Sequence, residues 1–142
     1  MRPDDPAVTG RCYCGKYKVT APDLPLTVTY CHCADCRRVT ASPLPAFAAF
    51  PENAVAVTPD IAPVSPLVPG VLRQFCPACG SQLTARFDYL PDQVYVPLGI
   101  LDQADDLAPR LHCHAASALS WLHLDDGLPH ADDSGRETLR NT

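Results

Sequence analysis

The chain has 142 residues, a net charge of −5, 16 prolines and eight cysteines. That length suits one domain with a modest core. The acidic balance, with no domain-wide basic footprint, argues against sequence-independent nucleic-acid binding. No apolar run approaches the roughly 18 residues of a membrane helix. The first ten residues are polar, with Pro3 and Pro6, unlike a secretory signal peptide, so a cytoplasmic protein is expected.

Prolines at this density leave few windows for a long helix, since each removes a helical donor and clashes with the preceding turn. Residues 11–20 and 26–32 read as short strands rich in β-branched and aromatic residues. Two more are expected over 45–50 and 54–58, separated by Pro51-Glu52-Asn53. Residues 59–70 carry prolines at 59, 63, 66 and 69 and read as a loop or irregular edge. A strand over 72–75 leads into Cys76-Pro77-Ala78-Cys79-Gly80, and 82–87 with 93–98 read as a hairpin pair. One acidic helical turn is expected over 101–107 and a last inner strand over 110–115. The fold class is therefore mainly β, a folded-over antiparallel sheet with little helix. A single domain over 1–130 is expected, then a polar tail over 131–142 that reads as disordered.

The cysteines fall in clusters. Cysteines one or two residues apart are poorly placed to bridge each other and well placed to bring two thiolates to one metal ion. In a reducing compartment this pattern points to metal or catalysis rather than to a disulfide framework. In Cys76-Pro77-Ala78-Cys79-Gly80, Pro77 pre-sets a tight turn and Gly80 admits a backbone conformation that a side chain resists. Cys12-Tyr13-Cys14-Gly15 is a plausible other half. Cys12, Cys14, Cys76 and Cys79 would then form a closed four-thiolate zinc site, structural because no position is left open.

Cys31, Cys33 and Cys36 place three thiols within six residues, with no fourth beside them. Three protein ligands and an open position describe a catalytic zinc. Closure by Cys113 or a histidine would instead make a second structural site. A redox-active cysteine group, or iron in place of zinc, are the other readings. The His32 side chain is expected to point away from the ligands. Arg37 and Arg38 follow directly, either as surface cations or with one facing the pocket to hold a substrate carboxylate. Cys113 reads as a small buried hydrophobe. On a strand, His112 and His114 would both face away from it.

These residues, in this order, resemble the glutathione-dependent formaldehyde-activating enzyme (Gfa) and centromere protein V family. The resemblance runs from Gly10-Arg11-Cys12-Tyr13-Cys14-Gly15 through Tyr30-Cys31-His32-Cys33-Ala34-Asp35-Cys36-Arg37-Arg38-Val39-Thr40. It continues through Arg73-Gln74-Phe75-Cys76-Pro77-Ala78-Cys79-Gly80-Ser81 to Ser120-Trp121-Leu122. It implies a β-tent of antiparallel sheets around two zinc ions per chain. The CxC and CPxC pairs would hold the structural ion, and the CxCxxC triad a catalytic ion open to a thiol. The implied activity is a reversible carbon–sulfur lyase reaction, glutathione adding to formaldehyde to give S-hydroxymethylglutathione. Arg37, Arg38 or Arg73 would attract the anionic thiol. Three departures stand out. Ala41 occupies a position where the family usually has glycine, Cys113 one that is usually apolar, and 59–70 shows no recognisable glutathione pocket.

Two competing functions are carried alongside the lyase. One is a non-catalytic zinc module with both sites structural. The other is a thiol enzyme like methionine sulfoxide reductase using Cys113, although Ala115 stands where that motif has asparagine.

Overall fold

Nine short strands, two sheets and one α-helix organise residues 5–64 and 66–137, the part of the chain that the computed structural model describes. The protein is mainly β. The small sheet has the order β1-β2-β5, made of β1 (Val8–Arg11), β2 (Lys18–Ala21) and β5 (Ala56–Thr58), all antiparallel. The large sheet has the order β6-β7-β8-β4-β3-β9. Its strands are β3 (Thr27–Cys31), β4 (Ala46–Pro51), β6 (Val71–Phe75), β7 (Gln82–Phe87), β8 (Gln93–Pro97) and β9 (Leu111–Cys113). One pairing is parallel, β9 against β3, with Cys31 opposite Cys113. A parallel neighbour needs a long crossover, and the chain between β3 and β9 supplies it.

Strand periodicity sorts the core. On β4, Ala48 and Phe50 join the main cluster with Val8, Val19, Val28, Val94 and Val96, while Phe47 and Ala49 face the other way. On β8, Tyr95 likewise leaves Val94 and Val96 for the second cluster, where it meets Cys31, Cys36 and Ala85. Alternate side chains of a strand take opposite faces, so the central strands are covered on both sides. One face packs on the small sheet and the other carries the thiol triad.

Several elements differ from the sequence expectation. Residues 11–20 are not one strand. Cys12–Tyr17 turns the chain between β1 and β2, with the Cys12 N–H on the Tyr17 carbonyl at 3.1 Å and the Gly15 N–H on the Cys12 carbonyl at 3.0 Å. Gly15 sits at φ +81, a region that favours glycine. Helix α1 (Ala34–Thr40) was not anticipated. The 101–107 turn is a 3-10 turn over Ala104–Asp106, preceded by another over Leu98–Ile100. Residues 59–64 and 66–70 are irregular, as expected, with a bridge between Val64 and Arg73.

Of the segment 131–142, residues 131–137 lie within the described part and are not free chain. The Ala131 N–H reaches the His112 carbonyl at 2.8 Å, and the His112 N–H reaches the Pro129 carbonyl at 3.0 Å. Strand β9 would otherwise present an open edge, and this return of the chain satisfies it. Gly135 is buried so closely that a Cβ there would meet Leu111 Cδ2 at 2.8 Å and Cys113 Sγ at 3.0 Å. Residues 138–142 lie outside the described residues.

Candidate metal centres and the adjoining cavity

The first centre joins two turns. Cys12 and Cys14 sit in the β1–β2 turn, and Cys76 and Cys79 in the β6–β7 turn. Each pair is followed by a glycine at positive φ, Gly15 at +81 and Gly80 at +83. The Gly80 N–H closes its turn on the Cys76 carbonyl at 2.8 Å, and the Tyr13 N–H reaches Ser81 Oγ at 2.9 Å, tying one turn to the other. The four sulfurs all lie within 4.8 Å of one another, with Cys12–Cys14 at 3.6 Å and Cys14–Cys76 at 3.7 Å. Four thiolates tetrahedral about a zinc ion at about 2.3 Å stand about 3.8 Å apart, so the donor set fits. The Ser81 hydroxyl beside Cys79 at 3.3 Å, with the Ser81 backbone, holds that thiol down to about 5. Backbone Tyr17 N–H points at Cys12 Sγ at 3.4 Å. Such donors stabilise sulfur charge.

The second centre is Cys31, Cys33 and Cys36, again within 4.8 Å of one another, with Cys31 and Cys33 at 3.5 Å. Cys31 ends β3, Cys33 is the N-cap of α1, and Cys36 lies in its first turn. The Cys36 N–H bonds to Cys33 Sγ at 3.2 Å, so the helix start turns its backbone toward the sulfurs. Hydrogen bonds from Cys31 and then Cys36 pull Cys33 down to about 2. The same contact with Cys33 drives Cys31 far up. Sulfurs this crowded cannot all ionise without a cation among them, which is the chemistry of a metal-binding donor set. Neither Cys113 nor a histidine belongs to the cluster among the described residues.

A cavity of about 440 Å³ adjoins this centre, lined by Cys33 and Cys36 together with Arg38 and Arg73. Arg37 is not among its lining residues, and its buried Nε has no hydrogen-bond partner. A smaller cavity of about 40 Å³ lies against Cys31, Cys36, Cys113 and His114. Burial pushes the Cys113 thiol up to about 11. Strand β9 stops at Cys113, and His114 takes φ 54 in the left-handed region. The alternation therefore fails there, and His114 lines the same small cavity as Cys113 instead of facing away from it.

His32 does not join the sulfurs. Its Nε2 meets His112 Nδ1 at 2.8 Å, and His112 Nε2 meets Asp126 Oδ2 at 2.8 Å. The His130 ring tilts against His112 with ring centroids 4.4 Å apart. Burial holds His32 below its ordinary value, and the His112 hydrogen bond holds Asp126 below its own. His112, Asp126 and His130 form a third close group. Asp126 and His130 escaped the sequence reading because only the fold brings 126–130 beside β9, and an Asp-Asp-Gly turn signals no partner.

Two sheets, one short helix and two cysteine clusters that could hold metal ions define a mainly β, cysteine-rich metal-site protein. Residues 7–117 match the family described as glutathione-dependent formaldehyde-activating enzyme, and the chain belongs to that family. The crystal structure of a Rhodobacter sphaeroides protein shares the fold, with a TM-score of 0.54 at 17% identity, covering 87% of this chain and 99% of that one. No curated protein matches the chain significantly. No helix among the described residues is long and apolar enough to cross a membrane.

Proposed function

We propose that the protein is a carbon–sulfur lyase of the Gfa type that joins a small thiol to formaldehyde or a related aldehyde at Cys31, Cys33 and Cys36. The observation that supports this best is a three-sulfur cluster, with no fourth Cys or His in it among the described residues, beside a cavity large enough for a small molecule. In the forward direction a C–S bond forms and the carbonyl becomes a hydroxyl. The thiol proton ends on that oxygen, so no oxidant or reductant is needed. Cys31, Cys33 and Cys36 would hold a zinc ion, which supplies positive charge that favours a bound thiolate or a polarised aldehyde oxygen. Arg38 and Arg73 orient an anionic substrate in the cavity. The cavity walls hold the two reactants together, which is most of what an addition of this kind requires.

Cys12, Cys14, Cys76 and Cys79 would hold a second zinc ion whose role is structural, since all four positions are filled. A thiol enzyme working through Cys113 is disfavoured by its raised pKa of about 11, which keeps the group a thiol at neutral pH. Native mass spectrometry of protein purified without chelator, coupled to a formaldehyde-consumption assay, tests the proposal. Two zinc ions per chain and thiol-dependent consumption are expected. Two zinc ions with neither a thiol adduct nor consumption, across a range of thiols, would leave a non-catalytic zinc module.

A further inference from the structure

The cavity beside Cys33 and Cys36 is walled by carbon. Val64, Leu67 and Val68 come from the proline-rich loop, and Phe75, Phe87 and Tyr89 from β6, β7 and the turn after it. Leu67 is 99% exposed and Val68 45% exposed, so these apolar side chains are not there to fill the protein's own core. The backbone on which they sit is tied at two points. The Val64 N–H bonds to the Arg73 carbonyl at 2.9 Å, the Val71 N–H bonds to the Val68 carbonyl at 3.2 Å, and Pro66 and Pro69 restrict the turns between.

The charged groups on the wall are Arg38, Arg73 and Asp35. Arg73 lies over the Phe87 ring at 5.4 Å and donates to Gln82 Oε1 at 3.3 Å, so its guanidinium is positioned against an aromatic wall. Cys33 and Cys36 lie on the same wall, so Arg38 and Arg73 are the side chains there that can face an anionic group, on a protein of net charge −5. Two guanidinium groups suit one carboxylate. Glutathione carries two carboxylates, an ammonium and two amides. Moving those groups against apolar walls without partners is costly.

We propose that this cavity selects an apolar thiol bearing a single carboxylate, with its aliphatic or aryl body along the loop and its carboxylate toward Arg38 and Arg73. The assignment rests on the lyase reading for the position of the thiol, while the apolar body and the carboxylate are recognised by the cavity alone. Each methylene buried there tightens binding about three- to fourfold.

Calorimetric titration of the zinc-loaded full chain tests it, with mercaptooctanoate, mercaptopropanoate, glutathione and thiol-free octanoate and butanoate as probes. Mercaptooctanoate is expected to bind at least about tenfold more tightly than mercaptopropanoate or glutathione. Octanoate is expected to exceed butanoate in the same sense. The double variant Leu67→Asp with Val68→Asp should erase the chain-length advantage and leave folding intact, since both side chains are solvent-facing. Arg73→Gln should weaken the carboxylates and leave octanethiol unchanged. Affinity independent of chain length, or glutathione binding as tightly as mercaptooctanoate, would overturn the proposal. Chain-length-dependent octanoate binding without any aldehyde adduct of the thiols would uphold the cavity assignment and remove the lyase reading.

Discussion

Ala41 ends helix α1 in the left-handed region, at φ 58. A Cβ is disfavoured there and glycine is not, which is the physical sense of the glycine that the family usually carries at this place. Ala41 is exposed, so nothing is lost by trimming it. Ala41→Gly should stabilise the protein by about 1 kcal/mol, after allowing for glycine's greater freedom in the unfolded chain. A denaturant titration checks the shift, and an unchanged or lower midpoint would sink the argument. At this scale the two cysteine clusters were legible, because i, i+2 and i, i+3 spacings are local facts. Which of two adjacent arginines lines the cavity was not legible, since α1 was not foreseen and its orientation decides between Arg37 and Arg38. Nor was the partner of His32, which lies 80 residues away.

Helix α1 begins on a cysteine of the triad. Cys33 is both a member of the triad and the N-cap whose sulfur accepts the Cys36 N–H. The two roles separate by substitution. Cys33→Ser and Cys33→Ala both remove the third thiolate, but serine is a good N-cap and alanine a poor one. Both variants should lose the triad's metal by mass spectrometry, with the alanine variant less stable by about 1 kcal/mol. Equal stability would show that the cap contributes nothing. The strands were readable from the sequence where alternation and turn residues coincide, as at β3, β4, β7 and β8. Reading failed at the two cysteine turns nearest the N-terminus. A strand-like stretch over 11–20 hides a reversal at Gly15, and six residues dense in cysteine hid a helix whose cap is a cysteine.

The four-sulfur centre is where the two sheets meet. Cys12 and Cys14 leave the small sheet, Cys76 and Cys79 the large one, and the Tyr13–Ser81 hydrogen bond crosses the same junction. A small protein keeps only about 5–15 kcal/mol of net stability, while a structural zinc contributes on the order of 10 kcal/mol. Cys79→Ala should therefore abolish dispersed amide resonances and aggregate at room temperature, and exhaustive chelation of the wild type should do the same. Cys33→Ser should keep its dispersion. Equal loss in both variants would contradict the division of labour between the two centres.

The parallel seat of β9 beside β3 carries a consequence for synthesis. Cys31, Cys33 and Cys36 leave the ribosome long before Leu111–Cys113, yet β9 forms one flank of the strand that delivers Cys31. Until then the nascent chain holds three exposed thiols, an unpaired β3 edge and a His32 without His112. Pairings this distant in sequence form late. The interval in which the triad is open to a wrong metal or to oxidation is thus set by the translation time of its far partner.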